Sequence, residues 1–514
     1  MNKGDVMPRL ARLATALLPQ LTLLVLASPA NATTAVCDGV SAPTVPGARV
    51  LSVTGVAHPD GYTLPPGPLN PDPIPGLPAF CELTVTLTHP GANDTVTIAV
   101  WLPTNTWNGR FQGTGGGGFA AGLFAVGLVP ALTQGYAAAS TDAGVPVDIV
   151  DPSTWANNPE LVTNFAHRSL HDMTVAGKAV TAQYYGQPAN YSYWNGCSTG
   201  GRQGLLEAQR YPTDYDGIVA TAPAINWTKF IPADQWPQVV MNEAGNHPTQ
   251  CELEAFNTAA TAACDTLDKV ADGIISSPAD CRFNPYQLVG QKILCNGQEV
   301  TITRSDAAVV ARIWAGPGVW SGMQKGTLFS GIASTTEDGT AGNPFPISDN
   351  WIRYFLRRDP NFDTSTITYA DWYRLFAQSR REYTNLDTSN PNLTAFRAAG
   401  GKMITWHGEA DELIFPAGTK DYYRRVDPAT PGRTEDFYRL FMAPGVDHCA
   451  GGIGPAPTDP LAAVVAWVEQ GTAPETLPAR SETATRNLCR YPLVSRYTGG
   501  DVHQASSYRC ARTY

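Results

Sequence analysis

The chain has 514 residues, 43% of them hydrophobic and 16% charged, with a formal net charge of −10. That length exceeds what one small core organises, so a large domain with an insertion, or two domains, is expected. The apolar content excludes a disordered chain, and the acidic balance argues against a nucleic-acid partner, because phosphate binding needs a basic footprint.

Residues 1–32 read as a secretory signal. Lys3, Arg9 and Arg12 make a basic start, residues 17–27 a mostly apolar core, and Ala30-Asn31-Ala32 a small-residue cleavage site. A membrane anchor is the weaker reading, since the apolar run is short and broken by Pro19 and Gln20. The mature protein is therefore expected to be secreted, with its 10 cysteines paired in disulfides. Sequons at Asn93, Asn190, Asn226 and Asn392 would accept glycans in a eukaryotic host, although Asn190 lies close to the strand that matters most.

A Pro- and Gly-rich lead-in runs to about residue 78. Residues 81–88 then alternate (Leu83, Val85 and Leu87 against Thr84, Thr86 and Thr88), and residues 95–102 repeat the pattern after a turn, which predicts an antiparallel hairpin. Residues 110–119, Arg-Phe-Gln-Gly-Thr-Gly-Gly-Gly-Gly-Phe, lack the spacing of a phosphate-binding loop. They read as an oxyanion loop with exposed N–H groups near Gly115, a flexible surface turn being the bland alternative. Residues 136–141 form a short strand and residues 167–184 a helix. His167 and His171 stand four apart on it, which could suggest a metal pair, but with no third ligand near that is the weaker reading.

Gly196-Cys197-Ser198-Thr199-Gly200 fits G-x-S-x-G, the nucleophile elbow. An aromatic run (Tyr191, Tyr193, Trp194) supplies the strand before it, and residues 201–209 the helix after it. Glycines on both sides allow the tight turn that lifts a serine hydroxyl clear of a sheet.

Residues 215–221 read as the next strand. From 225 to 395 the β-α alternation stops and aromatics scatter through helical and loop segments, which predicts an inserted lid with its own aromatic core. The pattern returns with a strand at 402–408, a helix at 417–426, a strand at 437–442 and a last helix at 461–469. The expected architecture is an α/β-hydrolase fold in two parts, 33–224 and 396–514, with the lid domain between them.

A serine hydroxyl needs a base to take its proton, and that base needs an acid to orient it. In α/β-hydrolases the chain order is Ser, then Asp or Glu, then His, each in a loop after a strand. Ser198, Asp411 and His448 satisfy order and placement. His407 precedes Asp411 and reads as a supporting or pocket group, while Asp447 and Glu409 are rival acids. Cys197 and Cys449 adjoin Ser198 and His448. If they pair, one bridge ties the nucleophile turn to the base loop, but sequence alone leaves the connectivity open.

This Cys-Ser … Asp … His-Cys arrangement resembles the tannase and fungal-type feruloyl esterase family, which also includes mono(hydroxyethyl) terephthalate hydrolase. Gly196-Cys-Ser-Thr-Gly-Gly-Arg-Gln-Gly is similar to its elbow and Trp406-His-Gly-Glu-Ala-Asp to its acid loop. Pro444-Gly-Val-Asp-His-Cys is similar to its base loop, and Trp107-Asn-Gly-Arg-Phe to its entry to the oxyanion loop. The resemblance implies Ser198 as nucleophile, His448 as base and Asp411 as orienter, with N–H groups of Thr199 and Gly115 as the oxyanion hole. It also implies a Cys197–Cys449 bridge.

Asp265, Asp268 and Asp272, with an Asp-Gly turn, make a loop for a hard cation or a solvated acidic turn; the terminal Glu of an EF-hand is missing. The resemblance implies a structural calcium held by these aspartates and the carbonyls of Val270 and Ile274, with Cys264 and Cys281 bridging the same loop. Cys37, Cys81, Cys251, Cys295, Cys489 and Cys510 are expected in disulfides without assigned partners. The segment 353–363 does not place the arginine that terephthalate-monoester hydrolases use, which favours aromatic plant esters. The expected function is a secreted serine esterase of hydroxycinnamoyl or galloyl esters, free or polysaccharide-linked, with no organic cofactor and no membrane partner. Within that expectation a feruloyl esterase leads; the alternatives are a tannin acyl hydrolase, an aromatic monoester hydrolase of the terephthalate type, a carboxypeptidase or lipase on the same triad and, from another class, a non-catalytic cell-wall-binding protein.

Overall fold

Nine strands make the central sheet: β1 (Arg49–His58), β2 (Phe80–Thr88), β3 (Val96–Pro103), β4 (Arg110–Thr114), β5 (Ala137–Thr141), β6 (Tyr191–Cys197), β7 (Gly217–Thr221), β8 (Lys402–Gly408) and β9 (Tyr438–Ala443). The structure is a computed structural model describing residues 36–67 and 69–513; the export signal read at residues 1–32 lies outside them. Spatial order is β1-β2-β3-β5-β4-β6-β7-β8-β9. The pairs from β1 to β5 are antiparallel, and those from β5 through β4 to β9 parallel. This is the α/β-hydrolase fold.

Each strand's pattern reports its place. In β2 the alternating Leu83, Val85 and Leu87 are buried and the threonines between them half-buried, as expected of a strand near the sheet's edge. The central β5 and β7 are buried throughout, because helices cover both faces of the parallel part. Helices α1 (Ser169–Tyr185), α2 (Thr199–Arg210) and α3 (Pro416–Ala429) contribute to the core on one face, where Leu170, Met173, Leu205, Leu206 and Tyr422 meet Ile218 and Ala220. On the other face α4 (Pro460–Gln470) presents Leu461, Val464 and Trp467 to Val219, Ile404 and Phe441.

Three elements differ from the sequence reading. The lead-in holds β1, an edge strand whose mostly exposed side chains give little periodicity. The helix expected at 167–184 begins earlier, with a turn at Pro159–Thr163 capped by Asn158, then a π-helical turn at Asn164–Arg168. The tail, from which only cysteines were read, forms small antiparallel sheets, including Thr476–Arg480 with Thr485–Cys489 and Val494–Tyr497 with Tyr508–Ala511.

The aromatics of the 225–395 insertion do fill a core. Trp227, Trp236, Trp351 and Trp372 are buried, whereas Trp314 and Trp320 are only partly so. That core does not stop at the insertion's edge. Phe119 of the glycine loop stacks on Phe355 with ring centres 5.7 Å apart, and Trp155 meets the same ring at 5.5 Å. Residues 34–514 accordingly group as one compact unit.

All ten cysteines pair: Cys37–Cys81, Cys197–Cys449, Cys251–Cys295, Cys264–Cys281 and Cys489–Cys510. Of the sequons, Asn93, Asn190 and Asn392 are exposed, but Asn226 is buried and closed to a glycan in the folded chain.

Candidate active site

Ser198 links the end of β6 to the start of α2 with φ 61° and ψ −120°. A non-glycine residue there costs about 1–3 kcal/mol and persists only where its surroundings hold it. They do. Its N–H donates to the Thr221 carbonyl (3.0 Å), and its carbonyl accepts from the N–H groups of Arg202 (3.0 Å) and Ala224 (3.1 Å). The turn also needs backbones in contact. A Cβ on Gly196 would lie 2.6 Å from the Gly200 carbonyl carbon, and one on Gly115 would lie 2.4 Å from the Gly200 Cα. The glycine loop after β4 therefore rests directly on the first turn of α2.

Two side chains of the elbow motif, whose roles the sequence reading missed, fix this packing. Gln203 accepts the Gly116 N–H (2.9 Å) and donates to the Ala121 carbonyl (2.9 Å), pinning the glycine loop. Arg202 is wholly buried and donates to the carbonyls of Phe165, Ala166 and Leu386, joining α2 to the π-helical turn and to the insertion. Burial and then Arg210 lower its pKa to about 9. Their position inside Gly-Gly-Arg-Gln-Gly was the available signal, but their partners are distant in sequence.

The two N–H groups expected to face an oxyanion differ in their surroundings. Thr199 is the first residue of α2, where N–H groups have no intrahelical acceptor. Gly115, expected as the second donor, directs its N–H to the Asn195 carbonyl at 3.4 Å, as an extension of the β4–β6 ladder. The N–H groups of Gly116 and Gly117 also have acceptors, in Gln203 and Ala120. Among the described residues of this loop, Gly118 is the glycine whose N–H meets no protein acceptor, and the Thr199 hydroxyl donates to its carbonyl (2.8 Å).

Asp411 and His448 follow β8 and β9. His448 Nδ1 lies 2.8 Å from Asp411 Oδ2, and the N–H groups of Leu413 (3.0 Å) and Ile414 (2.8 Å) donate to Oδ1. The rival acids are elsewhere engaged. Glu409 pairs with Lys420, and Asp447 does not meet the ring of its neighbour. Burial, then the charges of Glu412 and Asp411, push Asp447 up to about 6. The Cys197–Cys449 bridge, with a Cα–Cα distance of 5.9 Å, joins the residue before Ser198 to the residue after His448.

Electrostatics set the two partners' charge states. Burial works to raise the pKa of Asp411, but the His448 charge and the bonds from His407 and His448 outweigh it and hold the carboxylate ionised. Burial would lower His448; the Asp411 charge, its hydrogen bond and the Glu412 charge overcome that and raise it above the ordinary value. Glu412, absent from the sequence reading, also accepts the His448 N–H at 3.1 Å.

His167 and His171 turn to separate partners. His167 contacts the Tyr211 hydroxyl, and burial with nearby arginines lowers it to about 4; His171 bonds Asp214 at 2.6 Å.

At the acidic loop the donors suit a hard cation in kind, and burial plus mutual repulsion raise the pKa values of Asp268 and Asp272. In placement they are turned to other partners. Asp265 accepts N–H groups of Asp272 and Gly273, Asp268 accepts from Val270 and Ser276, and Asp272 pairs with Arg486 (3.1 Å) while accepting the Ile274 N–H. Among the described residues no three acidic, histidine or cysteine side chains converge closely enough to hold an ion.

A family model described as tannase and feruloyl esterase matches residues 81–511. A probable feruloyl esterase of Arthroderma benhamiae is 48% identical over 506 residues, 93% of this chain and 94% of the relative. The crystal structure of feruloyl esterase B from Aspergillus oryzae superposes with a TM-score of 0.78 at 29% identity, covering 91% of this chain and 97% of that one. Tannin acyl hydrolase from Aspergillus niger shares the fold, with a TM-score of 0.80 at 24% identity over 92% and 94% of the two chains.

Proposed function

Because this chain belongs to the tannase and feruloyl esterase family and is a carboxylic ester hydrolase, we propose that Ser198, His448 and Asp411 are its nucleophile, base and orienting acid. The preferred substrates are hydroxycinnamoyl esters, free or attached to polysaccharide. The observation that carries the reading is the Asp411–His448 pair at 2.8 Å on a loop bridged to the strained Ser198 turn. With Nδ1 held by Asp411, the His448 Nε2 is the nitrogen left to take the Ser198 proton as Oγ attacks the ester carbonyl. The oxygen that becomes anionic is met by the Thr199 N–H and a second N–H of the glycine loop, for which we take Gly118, whose N–H meets no protein acceptor, in place of Gly115, whose N–H is bonded to Asn195. His448 then passes its proton to the departing alcohol, leaving an acyl-Ser198 ester. Water attacks that ester with the same base, and the free acid leaves.

Feruloyl rather than galloyl preference follows the 48% identical relative named a feruloyl esterase, while the tannase likeness speaks to fold alone. Arg353, in the segment 353–363, pairs with Asp349 and donates to the Pro360 carbonyl. Export is part of the proposal and is supported by the fully paired cysteines; among the described residues no helix is long and apolar enough to cross a membrane. The test is a hydrolysis panel of methyl ferulate, methyl caffeate, methyl gallate and a terephthalate monoester. A preference for gallate, or no hydrolysis of any of them, overturns the substrate assignment.

The base must be neutral to act, and a raised pKa keeps His448 protonated to higher pH. The acid limb of kcat/KM should therefore lie above the ordinary histidine value of about 6.5. Glu412→Gln removes one of the charges that raise it, so the limb should move down. An unmoved limb in the variant shows that Glu412 does not act on His448.

Calcium at Asp265, Asp268 and Asp272, with the carbonyls of Val270 and Ile274, belongs to the same proposal as a structural ion. Binding would draw Asp272 from Arg486 and relieve the repulsion that raises Asp268 and Asp272. A ligand of the native state stabilises by mass action, about 4 kcal/mol at a thousandfold excess over Kd. Chelation should lower the melting temperature and leave the rate below melting unchanged. An unaltered melting curve, with no calcium by elemental analysis, reduces the loop to an acidic turn.

A further inference from the structure

His407 closes β8 four residues before Asp411, with its side chain wholly buried. Its Nε2 lies 2.9 Å from Asp411 Oδ2 and 2.8 Å from the Ile414 carbonyl. Both neighbours are acceptors, so this nitrogen carries a proton and donates. The other nitrogen, Nδ1, meets the Thr419 hydroxyl at 2.9 Å, and a hydroxyl can donate to it. A proton on Nε2, with Nδ1 accepting from Thr419, gives both ring nitrogens a partner.

The consequence falls on Asp411. Its Oδ1 takes the two N–H groups of Leu413 and Ile414, and its Oδ2 takes one imidazole from each side of the sequence, His407 and His448. A carboxylate with four donors is fixed in orientation and less basic than one with three.

We propose that His407 is a positioning residue for ester hydrolysis. Its Nε2–H locks Asp411 with Oδ2 toward His448 and takes up part of the carboxylate's charge. This rests on the reading of Asp411 and His448 as acid and base. Thr419, in the first turns of α3, fixes the tautomer, so a helix on the sheet's flank is coupled to the triad through three hydrogen bonds in series: Thr419 to His407, His407 to Asp411, and Asp411 to His448. Without the His407 donor, Asp411 draws harder on the His448 proton and the Ile414 carbonyl loses its partner. The acid limb should then move up while turnover falls.

Two measurements on the whole mature protein test this. Two-bond 1H–15N correlation of histidine-labelled wild type should show His407 protonated on Nε2, and protonation on Nδ1 alone overturns the proposal whatever the variants do. Kinetics with methyl ferulate then compare His407→Leu, which removes the donor, with His407→Gln, which keeps an N–H near Nε2. We expect kcat to fall roughly 10- to 100-fold in the first, the worth of a hydrogen bond to a charged group. KM should change less than about twofold, the limb should shift upward, and glutamine should recover most of the loss. A lowered melting temperature with kcat and limb unmoved overturns the proposal and leaves His407 a packing residue. Fluorophosphonate labelling of wild-type Ser198 separates the two levels: an unlabelled, inactive wild type defeats the triad reading itself, whereas an active wild type matched by both variants defeats only this inference.

Discussion

Ser198→Ala is expected to lower ester hydrolysis by at least about four orders of magnitude while the protein still folds. Removing a triad nucleophile typically costs that much or more, because the residual oxyanion donors and binding contacts cannot replace the covalent step. The strained turn does not depend on the hydroxyl. The bonds that hold it run through the Ser198 N–H and carbonyl to Thr221, Arg202 and Ala224, and alanine keeps both groups. Melting temperature should therefore stay close to wild type. His448→Ala should match the serine variant, and Asp411→Asn should be milder, since an amide oxygen can still accept from one imidazole. One-tenth of wild-type activity in Ser198→Ala, measured in protein free of wild-type contamination, ends the assignment.

The second large effect concerns the bridge beside the site. In the double variant Cys197→Ala with Cys449→Ala, kcat should fall about a hundredfold in protein that remains folded at assay temperature. Cys197 ends β6 and Cys449 follows His448 on the loop after β9, so the loops of the proposed nucleophile and base leave different strands. The bridge closes 252 residues of chain, worth about 5 kcal/mol by loop entropy. Four other bridges and the buried sheet remain in its absence. What no other covalent link supplies is the register between nucleophile and base, where a shift of roughly 1 Å costs about a hundredfold. Cys449 itself sits at φ 64°, in the left-handed region that a non-glycine residue rarely adopts. Wild-type turnover in the folded double variant would leave stability as the bridge's only role.

The sequence by itself determined the elements whose signal is local. Strand alternation at Leu83, Val85 and Leu87, the Gly-x-Ser-x-Gly turn, and the chain order Ser198, Asp411, His448 are properties of neighbouring residues or of simple order. The fold class followed from them. The tertiary structure decided whatever depends on which distant groups meet. It brought the Asp411 carboxylate, and not Asp447 or Glu409, to His448 Nδ1, and it tied Glu409 to Lys420. It paired the cysteines, whose connectivity spacing cannot fix. It directed the Gly115 N–H into the sheet ladder and left the Gly118 N–H without a protein acceptor among the described residues. It also joined the core of the 225–395 insertion to Phe119 and Trp155 of the chain before it. A hydrogen bond has a direction and a length, and a core has a shape. None of these is written in the order of residues until the chain has closed on itself, and so Arg202, Gln203, Glu412 and the bonds of His407 emerged only with the fold.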